Sequence, residues 1–268
     1  MRKFLTTTVM LLTLTAVVWS CKKKSETPND EVVSPEVLSQ IKALGFSTDG
    51  VSVTDGGYLV EGDIILTPEN LRGMEQTHNL IHANEEHYRT TNLVNTGSST
   101  RTITVRLNTT QSNFVSATDE AIRRYNALNL RLRFQRITSG TPNINIVTYY
   151  QVSNTLGSAG FPSGGNPYGT INMNTYWYTP SIAVNALATT IAHEMGHCIG
   201  FRHTDYMNRA YSCGTGGNEG ASTVGAIHIP GTPTGPSAGS WMLACGSTSS
   251  SFNRPFTSAD QTALNYVY

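Results

Sequence analysis

Apolar and polar residues alternate from residue 101 onward, a pattern that predicts strands with one buried and one exposed face. The alternating runs are Arg101–Leu107, Leu130–Gln135 and Asn143–Tyr150. Helical spacing covers Ser116–Leu128 and the alanine-rich stretch Ser181–Ile199, which Pro180 and Gly200 bracket. This order of elements predicts an α+β fold in which a mixed, twisted sheet packs on one long helix.

Weaker patterns flank this region. Before it, Pro35–Leu44 has helical spacing with Ser34 as a cap, and Tyr58–Leu66 predicts a strand. After it, Thr257–Asp260 is a helix-start signal and predicts a terminal helix in a C-terminal subdomain. The glycine-rich stretch over residues 157–169 predicts either a generic loop or an irregular edge strand that holds an extended peptide.

The N-terminus has the pattern of an export signal. Arg2 and Lys3 precede an uncharged stretch, Phe4–Trp19, that is short for a membrane-spanning helix. Val18–Cys21 resembles a bacterial lipoprotein processing site, in which Cys21 is lipidated, and ordinary secretion or a retained anchor are the alternatives. We therefore expect an outer-membrane or cell-surface lipoprotein, or else a secreted protein, that meets a membrane only through its lipid.

The composition of the chain limits the kinds of binding partner and the number of disulfides that we expect. Charged residues make up 13% of the chain, and 18 basic residues balance 18 acidic ones, so nucleic acid is not an expected partner. If Cys21 is lipidated, three cysteines remain and at most one disulfide can form within the chain. Cys213 with Cys245 is the first expectation, and Cys198 fits a small buried residue.

The segment from His193 to His203 carries the chemistry of the chain. His193 and His197 are four residues apart on the predicted helix, so both imidazoles project from one face and reach a single ion. Glu194 lies one residue further round, where it contacts a zinc-bound water rather than the metal. Gly200 can adopt a left-handed conformation that ends the helix and turns the chain, so that His203 becomes the third ligand.

Three neutral imidazoles leave the fourth coordination position open to water, as in catalytic zinc sites. One catalytic zinc ion lowers the pKa of such a water toward about 7. We expect Glu194 to accept the proton of this water and to pass it to the leaving amine.

The run HEMGHCIGFRH resembles the long zinc motif of the metzincin metallopeptidases, and Thr204–Asp205 after it looks like the bacterial HEIGH metallopeptidase branch. The resemblance covers roughly residues 100–268 and implies a metzincin-like catalytic domain with a zinc cleft. Metzincins have a methionine turn beneath the zinc, and by resemblance Met242 is that hydrophobic floor, with an ordinary core methionine as the alternative. Some members place a tyrosine two residues later, where this chain has Ala244. Asp205 either supports the metal site or caps the turn.

Val60–Ile64 resembles the pro-segment motif of astacin-like metzincins, whose aspartate occupies the open zinc position until the segment is removed. By this resemblance Asp63 is a latency ligand, and the alternative is a turn residue in a small N-terminal module. The predicted organisation is a signal peptide over residues 1–20, a tether and pro-like segment over 21–98, and a zinc metallopeptidase catalytic domain over 99–268.

His78, His82 and His87 form a second group of histidines. The neighbouring Glu85 and Glu86 favour a solvated helix face over a second metal site.

Together these features predict an exported, monomeric zinc-dependent endopeptidase that acts on peptides or proteins. One alternative is an exported lipoprotein that binds protein or glycan and uses zinc only structurally, which the intact Glu194 disfavours. A zinc amidase that acts on cell-wall peptides shares the chemistry and differs only in its cleft.

Overall fold

The computed structural model describes residues 32–72, 87–220, 224–233 and 235–268. The predicted export signal, the lipidation site Cys21, and the histidines His78 and His82 lie outside these residues. In the part of the chain that is described, no helix has the length and apolar character needed to span a membrane.

Six helices occur within the described ranges. They are α1 (Pro35–Ala43), α2 (Pro68–Arg72), α3 (Ser112–Asn126), α4 (Val184–Ile199), α5 (Ala210–Cys213) and α6 (Ser258–Val267). Side chains at the N-termini fix where two of them begin. The Ser34 hydroxyl accepts a hydrogen bond from Val37 N at 3.3 Å ahead of α1, and Thr257 forms a capping box with Asp260 ahead of α6.

The strands form one large sheet and one small one. They are β1 (Ser52–Thr54), β2 (Gly57–Val60), β3 (Ile64–Leu66), β4 (Tyr88–Arg89), β5 (Arg101–Leu107), β6 (Leu132–Arg136), β7 (Ile144–Tyr149), β8 (Gly157–Gly160), β9 (Thr170–Asn174) and β10 (Ile227–His228). The large sheet has the order β1-β2-β3-β8-β9-β7-β5-β6, and β10 pairs with β4 separately. Strands β9, β7, β5 and β6 run parallel, whereas β8 is antiparallel to β9, so the sheet is mixed.

Helix α4 lies at the centre of the larger hydrophobic core. It contacts α3 on one side and strands β8 and β9 on the other. Almost the whole helix is buried, which its alanine-rich sequence permits because small side chains let neighbouring elements approach closely. Every residue of this core lies at or after Val94.

A second, smaller core belongs mainly to residues 32–72, which we call the N-terminal segment. Its members are Ile41, Leu44, Phe46, Val60, Ile64, Leu66 and Leu71, together with Phe161 and Val224. Those last two belong to the part of the chain from His87 to Tyr268, which we call the body. The N-terminal segment therefore has a hydrophobic cluster of its own that rests on the body through few apolar side chains, while the body retains a separate core.

The predicted α+β class, mixed sheet, long helix and terminal helix are confirmed. Two finer expectations are wrong. Tyr58–Leu66 is not one strand, because a turn at Glu61, with φ of 56°, and Gly62, with φ of 92°, separates β2 from β3. His87 does not lie on a solvated face, since it is only 1% exposed.

His87 is buried because it contacts a carboxylate that gathers several loops. One Asp260 oxygen lies 2.6 Å from His87 Nε2 and 2.8 Å from the Ser240 hydroxyl. The other accepts from the backbone N–H of Thr257 at 2.8 Å and of Trp241 at 3.4 Å. A single buried side chain therefore joins the start of the body, the Ser240 turn and helix α6.

We predict that Asp260→Ala lowers the free energy of unfolding by about 3–5 kcal/mol, because it leaves buried donors without an acceptor. Urea denaturation of the full chain measures this loss. The control is Asp119→Ala, which removes an ion pair with Arg136 from a half-exposed carboxylate and costs about 0–1 kcal/mol. Equal losses in the two variants would contradict the central role of Asp260.

Candidate metal centre and cleft

Helix α4 and the turn after it bring the motif histidines together. His193, Glu194 and His197 lie in the last two turns of α4, and the helix ends at Gly200 with φ of 108°. Phe201 N then donates to Gly196 O at 2.9 Å, which reverses the chain direction. The predicted left-handed helix end is confirmed, and it turns His203 back toward the helix.

The three imidazoles converge on one point. The ring centroids lie 4.7 Å apart for His193 and His197, 4.8 Å for His197 and His203, and 5.2 Å for His193 and His203. The Nε2 atoms of His197 and His203 are 3.2 Å apart. The third ring therefore faces the first two, as the motif predicts.

Each imidazole is oriented through its other nitrogen. His193 Nδ1 lies 2.8 Å from the carbonyl of Trp241, and His197 Nδ1 lies 2.9 Å from that of Phe201. A carbonyl oxygen only accepts hydrogen bonds, so each Nδ1 carries the proton and each Nε2 presents a lone pair to the shared point.

His203 is oriented by a carboxylate that the sequence analysis did not identify. Its Nδ1 lies 2.5 Å from Glu219 Oε1, and both side chains are fully buried. Arg202 and Arg209 contact the same carboxylate at 3.5 and 3.2 Å. Glu219 lies in a polar, glycine-rich loop, where its only sequence signal is its charge.

Asp63 joins the three histidines. Its Oδ2 lies 3.1 Å from His203 Nε2 and 3.7 Å from His193 Nε2. Asp63 and the three histidines each offer one ligand atom, and these four atoms lie within 4.8 Å of one another. Asp63 is a turn residue after β2 and also a member of this cluster. Its role as a latency ligand stays a prediction.

The donor set fits a metal cation. Three imidazole Nε2 atoms and a carboxylate oxygen lie close together, and His193 Nε2 is buried without a hydrogen-bond partner. Such an arrangement is unfavourable unless a positive charge lies between the atoms. Three imidazoles with one oxygen are a ligand set typical of zinc.

Electrostatics in the cluster also favour a cation. Burial lowers the pKa of His197, and its histidine neighbours lower it further, so the ring is a neutral lone-pair donor. Burial works against the charged form of His203 too, but Asp63 and Glu219 outweigh it and raise the pKa of His203. Burial likewise opposes ionisation of Asp63, but His203 and His193 hold the pKa of its carboxyl well below the ordinary value.

Glu194 lies beside the cluster with a free oxygen. The residue is 1% exposed, and its Oε2 is buried without a hydrogen-bond partner. Burial and the charge of Asp63 raise the pKa of this carboxyl well above its ordinary value, and His203 opposes them only in part. Gly157 of β8 makes room for the carboxylate, because a Cβ there would lie 3.0 Å from Glu194 Oε1.

The predicted methionine turn lies against α4. A Cβ at Gly196, the residue before the ligand candidate His197, would lie 2.5 Å from Met242 Sδ and 3.1 Å from Trp241 Nε1. Met242 is fully buried. Glycine at 196 thus permits the turn to approach the helix closely, and the carbonyl of Trp241 in that turn orients His193.

Asp205 does not contact His203. Its carboxylate instead accepts from Ala244 N at 2.9 Å and from the Ser212 hydroxyl at 2.6 Å. It therefore ties the loop after the zinc motif to the loop after Met242. The predicted Cys213–Cys245 disulfide joins the same two loops, and Cys198 is a buried free cysteine.

These loops border a cavity of about 450 Å³ that reaches the metal cluster at His193 and Asp63. His193, Glu194, Arg209 and Arg254 line it from the body, and Glu61 and Asp63 line it from the N-terminal segment. The size suits the side chains of a short peptide segment.

A family model of the dual-action HEIGH metallo-peptidases matches residues 58–268. No curated protein matches the chain. Among solved structures, myroilysin aligns at 16% identity over 66% of this chain and 96% of its own, with a TM-score of 0.43. High choriolytic enzyme 1, a hatching enzyme zinc-protease from Oryzias latipes, aligns at 18% identity over 40% of this chain and 47% of its own, with a TM-score of 0.26.

The family match extends from β2 in the N-terminal segment to the last residue, and so includes both Asp63 and the zinc motif. It confirms the resemblance to the HEIGH branch. The chain therefore belongs to the dual-action HEIGH metallo-peptidase family and is a zinc metallopeptidase.

Proposed function

We propose that the chain is a zinc-dependent endopeptidase that hydrolyses peptide bonds outside the cytoplasm. In this proposal His193, His197 and His203 bind the zinc, and Glu194 is the general base. The observation that supports it most is the convergence of three oriented imidazoles beside a buried carboxylate with an unpaired oxygen.

Zinc at this site supplies a Lewis acid and brings the pKa of a water toward about 7. Glu194 removes a proton from the attacking water, whose oxygen adds to the peptide carbonyl carbon. Glu194 then delivers that proton to the leaving amine as the C–N bond breaks. A buried carboxylate with one oxygen that has no hydrogen-bond partner suits both transfers.

We further propose that the N-terminal segment keeps the peptidase latent. Asp63 fills the fourth position of the cluster, next to Glu194. We call the enzyme from which the N-terminal segment has been cut and removed the trimmed enzyme. Loss of Asp63 takes away one of the two causes that raise the pKa of Glu194, so that carboxyl ionises at lower pH in the trimmed enzyme.

The N-terminal segment also pairs with β8, the strand whose edge an extended substrate would bind. Strand β3 runs parallel to β8, with Ile64 opposite Ala159 and Ile65 opposite Gly160. Ala159 N also donates to Asp63 O at 3.0 Å. Substrate peptides bind such sheet edges through backbone hydrogen bonds, and here the edge is already paired.

Two features support an extracytoplasmic location. The Cys213–Cys245 disulfide is typical of oxidising compartments. The first 21 residues have the pattern of an export signal that ends at a lipidation site, Cys21.

One observation favours a second candidate function. Asp63 completes a set of four protein ligands, which is the composition of a structural zinc site. The chain would then be an exported binding protein with a permanent zinc. The unpaired carboxylate oxygen of Glu194 has no role in such a site. The two candidate functions are distinguished by testing whether the chain hydrolyses peptides after the N-terminal segment has been removed.

We predict that Glu194→Gln lowers kcat by about 10²–10⁴-fold, because the amide cannot accept a proton. Peptide hydrolysis is measured on trimmed enzyme, and zinc content by elemental analysis. Zinc should stay stoichiometric, since Glu194 is not among the proposed ligands. Glu69→Gln, a change at an exposed ion pair on α2, is the control in the uncut chain for folding and zinc content.

We predict that Glu219→Gln weakens zinc binding by roughly 10–100-fold, because the ring of His203 loses its charged hydrogen-bond acceptor. Competition with a zinc indicator measures the affinity of the full chain. Unchanged affinity would show that Glu219 does not support the metal site.

We predict that the full chain is at least about 100-fold less active than the trimmed enzyme, because Asp63 blocks the metal position and β3 blocks β8. A recognition sequence for a specific protease, placed between Arg72 and His87, lets the chain fold whole before it is cut. Size-exclusion chromatography then removes the N-terminal segment. Equal activity before and after the cut would rule out latency, and no activity in either form would favour the structural zinc.

A further inference from the structure

The charges that line the cleft divide between the N-terminal segment and the body. Among the described residues that line it, Glu61 and Asp63 are the carboxylates from the N-terminal segment, and Glu194 is the one from the body. Arg209 and Arg254 also line it from the body. Departure of the segment therefore leaves two guanidinium groups and one carboxylate among the charged residues that line the cleft beside the candidate metal site.

The Glu61 carboxylate lies in the cleft in the way that a substrate side chain would lie in a binding subsite. Its Oε2 accepts from Arg209 Nη1 at 2.6 Å, and the side chains of the two residues are 5% and 15% exposed. Its Oε1 accepts from Ser47 N at 2.6 Å, within the N-terminal segment itself. Glu61 has a left-handed backbone, which non-glycine residues seldom adopt, and in this turn its carboxylate and that of Asp63 both enter the cleft.

Arg209 is held in place by the body. Its backbone N–H donates to Gly217 O at 3.0 Å, and its Nε lies 3.2 Å from Glu219 Oε1. It directly precedes α5, which ends at the disulfide residue Cys213. These partners belong to the body, so Arg209 keeps contacts beside the cleft when Glu61 leaves.

Arg254 is a weaker candidate for substrate binding. Its Nη1 donates to Cys245 O at 2.9 Å, and its guanidinium lies 4.9 Å from the centroid of the Phe252 ring. These contacts hold it to the loop after Met242. Arg209 is the cation whose nearest partner, at 2.6 Å, belongs to the removable segment.

We propose that Arg209 is a specificity-determining residue that binds an acidic side chain of the substrate in the place now held by Glu61. This inference rests on the proposed peptidase function and adds the substrate class: peptides with Glu or Asp close to the scissile bond. Asp63, two residues after Glu61, lies in the metal cluster, so the acidic subsite is close to the bond that is cut. The planar guanidinium pairs with a carboxylate through two parallel hydrogen bonds, which a neutral amide cannot match.

The first test compares fluorogenic peptides that carry Glu, Gln or Lys at each of three positions on either side of one scissile bond. Trimmed wild-type enzyme should cleave the best Glu peptide about tenfold more efficiently, in kcat/KM, than its Gln counterpart. In Arg209→Gln the ratio should fall to about one, and Arg209→Lys should retain part of it. A merely structural role would lower kcat/KM for all peptides together and leave the ratio unchanged, which would overturn the proposal.

A second test needs no catalysis. A labelled peptide with the sequence of residues 58–66 binds the trimmed enzyme, and its Glu61→Gln version should bind about tenfold more weakly. In Arg209→Gln enzyme the two peptides should bind equally. Equal binding to wild-type enzyme would overturn the proposal. If no peptide is cleaved, the proposed peptidase function fails, and this binding cycle still decides whether Arg209 recognises a carboxylate.

Discussion

The site depends on one constraint: three imidazoles must each present an unprotonated Nε2 to the same point. The ring orientations suit this constraint because each Nδ1 faces an acceptor that cannot donate, namely two carbonyls and the Glu219 carboxylate, which turns each Nε2 toward the shared point. Those acceptors come from the turn before Met242, the helix end and the loop after it. The geometry of the ligand candidates is therefore set by elements far apart in the chain, and α4 alone could not produce it.

Asp260 extends this dependence to the ends of the body. It holds Ser240 and Trp241, and the carbonyl of Trp241 orients His193. It also contacts His87 near the start of the body and begins helix α6 through the capping box. A change in structure at His87 or at the start of α6 can therefore alter the orientation of His193 through Asp260 and the carbonyl of Trp241. The buried carboxylate is tolerated because each of its oxygens has hydrogen-bond partners.

The sequence predicted those parts of the site that are local. His193 and His197 follow from helical spacing, and the reversal to His203 follows from the freedom of Gly200 at positive φ. Glu219 could not be predicted, because the loop that places it beside His203 has no periodicity. The division of Tyr58–Leu66 into two strands could not be predicted for a similar reason, since Glu61, a non-glycine residue in a left-handed conformation, is held by tertiary contacts rather than by propensity.

In the proposed latent state one short segment meets three requirements of a substrate. Its strand β3 pairs with the edge of β8, Asp63 supplies an oxygen at the metal position, and Glu61 supplies a carboxylate to Arg209. A segment that resembles a substrate in this way must leave before a substrate can bind, because both use the same donors. The small separate core of residues 32–72 makes this departure compatible with an intact body, whose own core begins at Val94. Latency and substrate preference would then be two results of the same set of contacts.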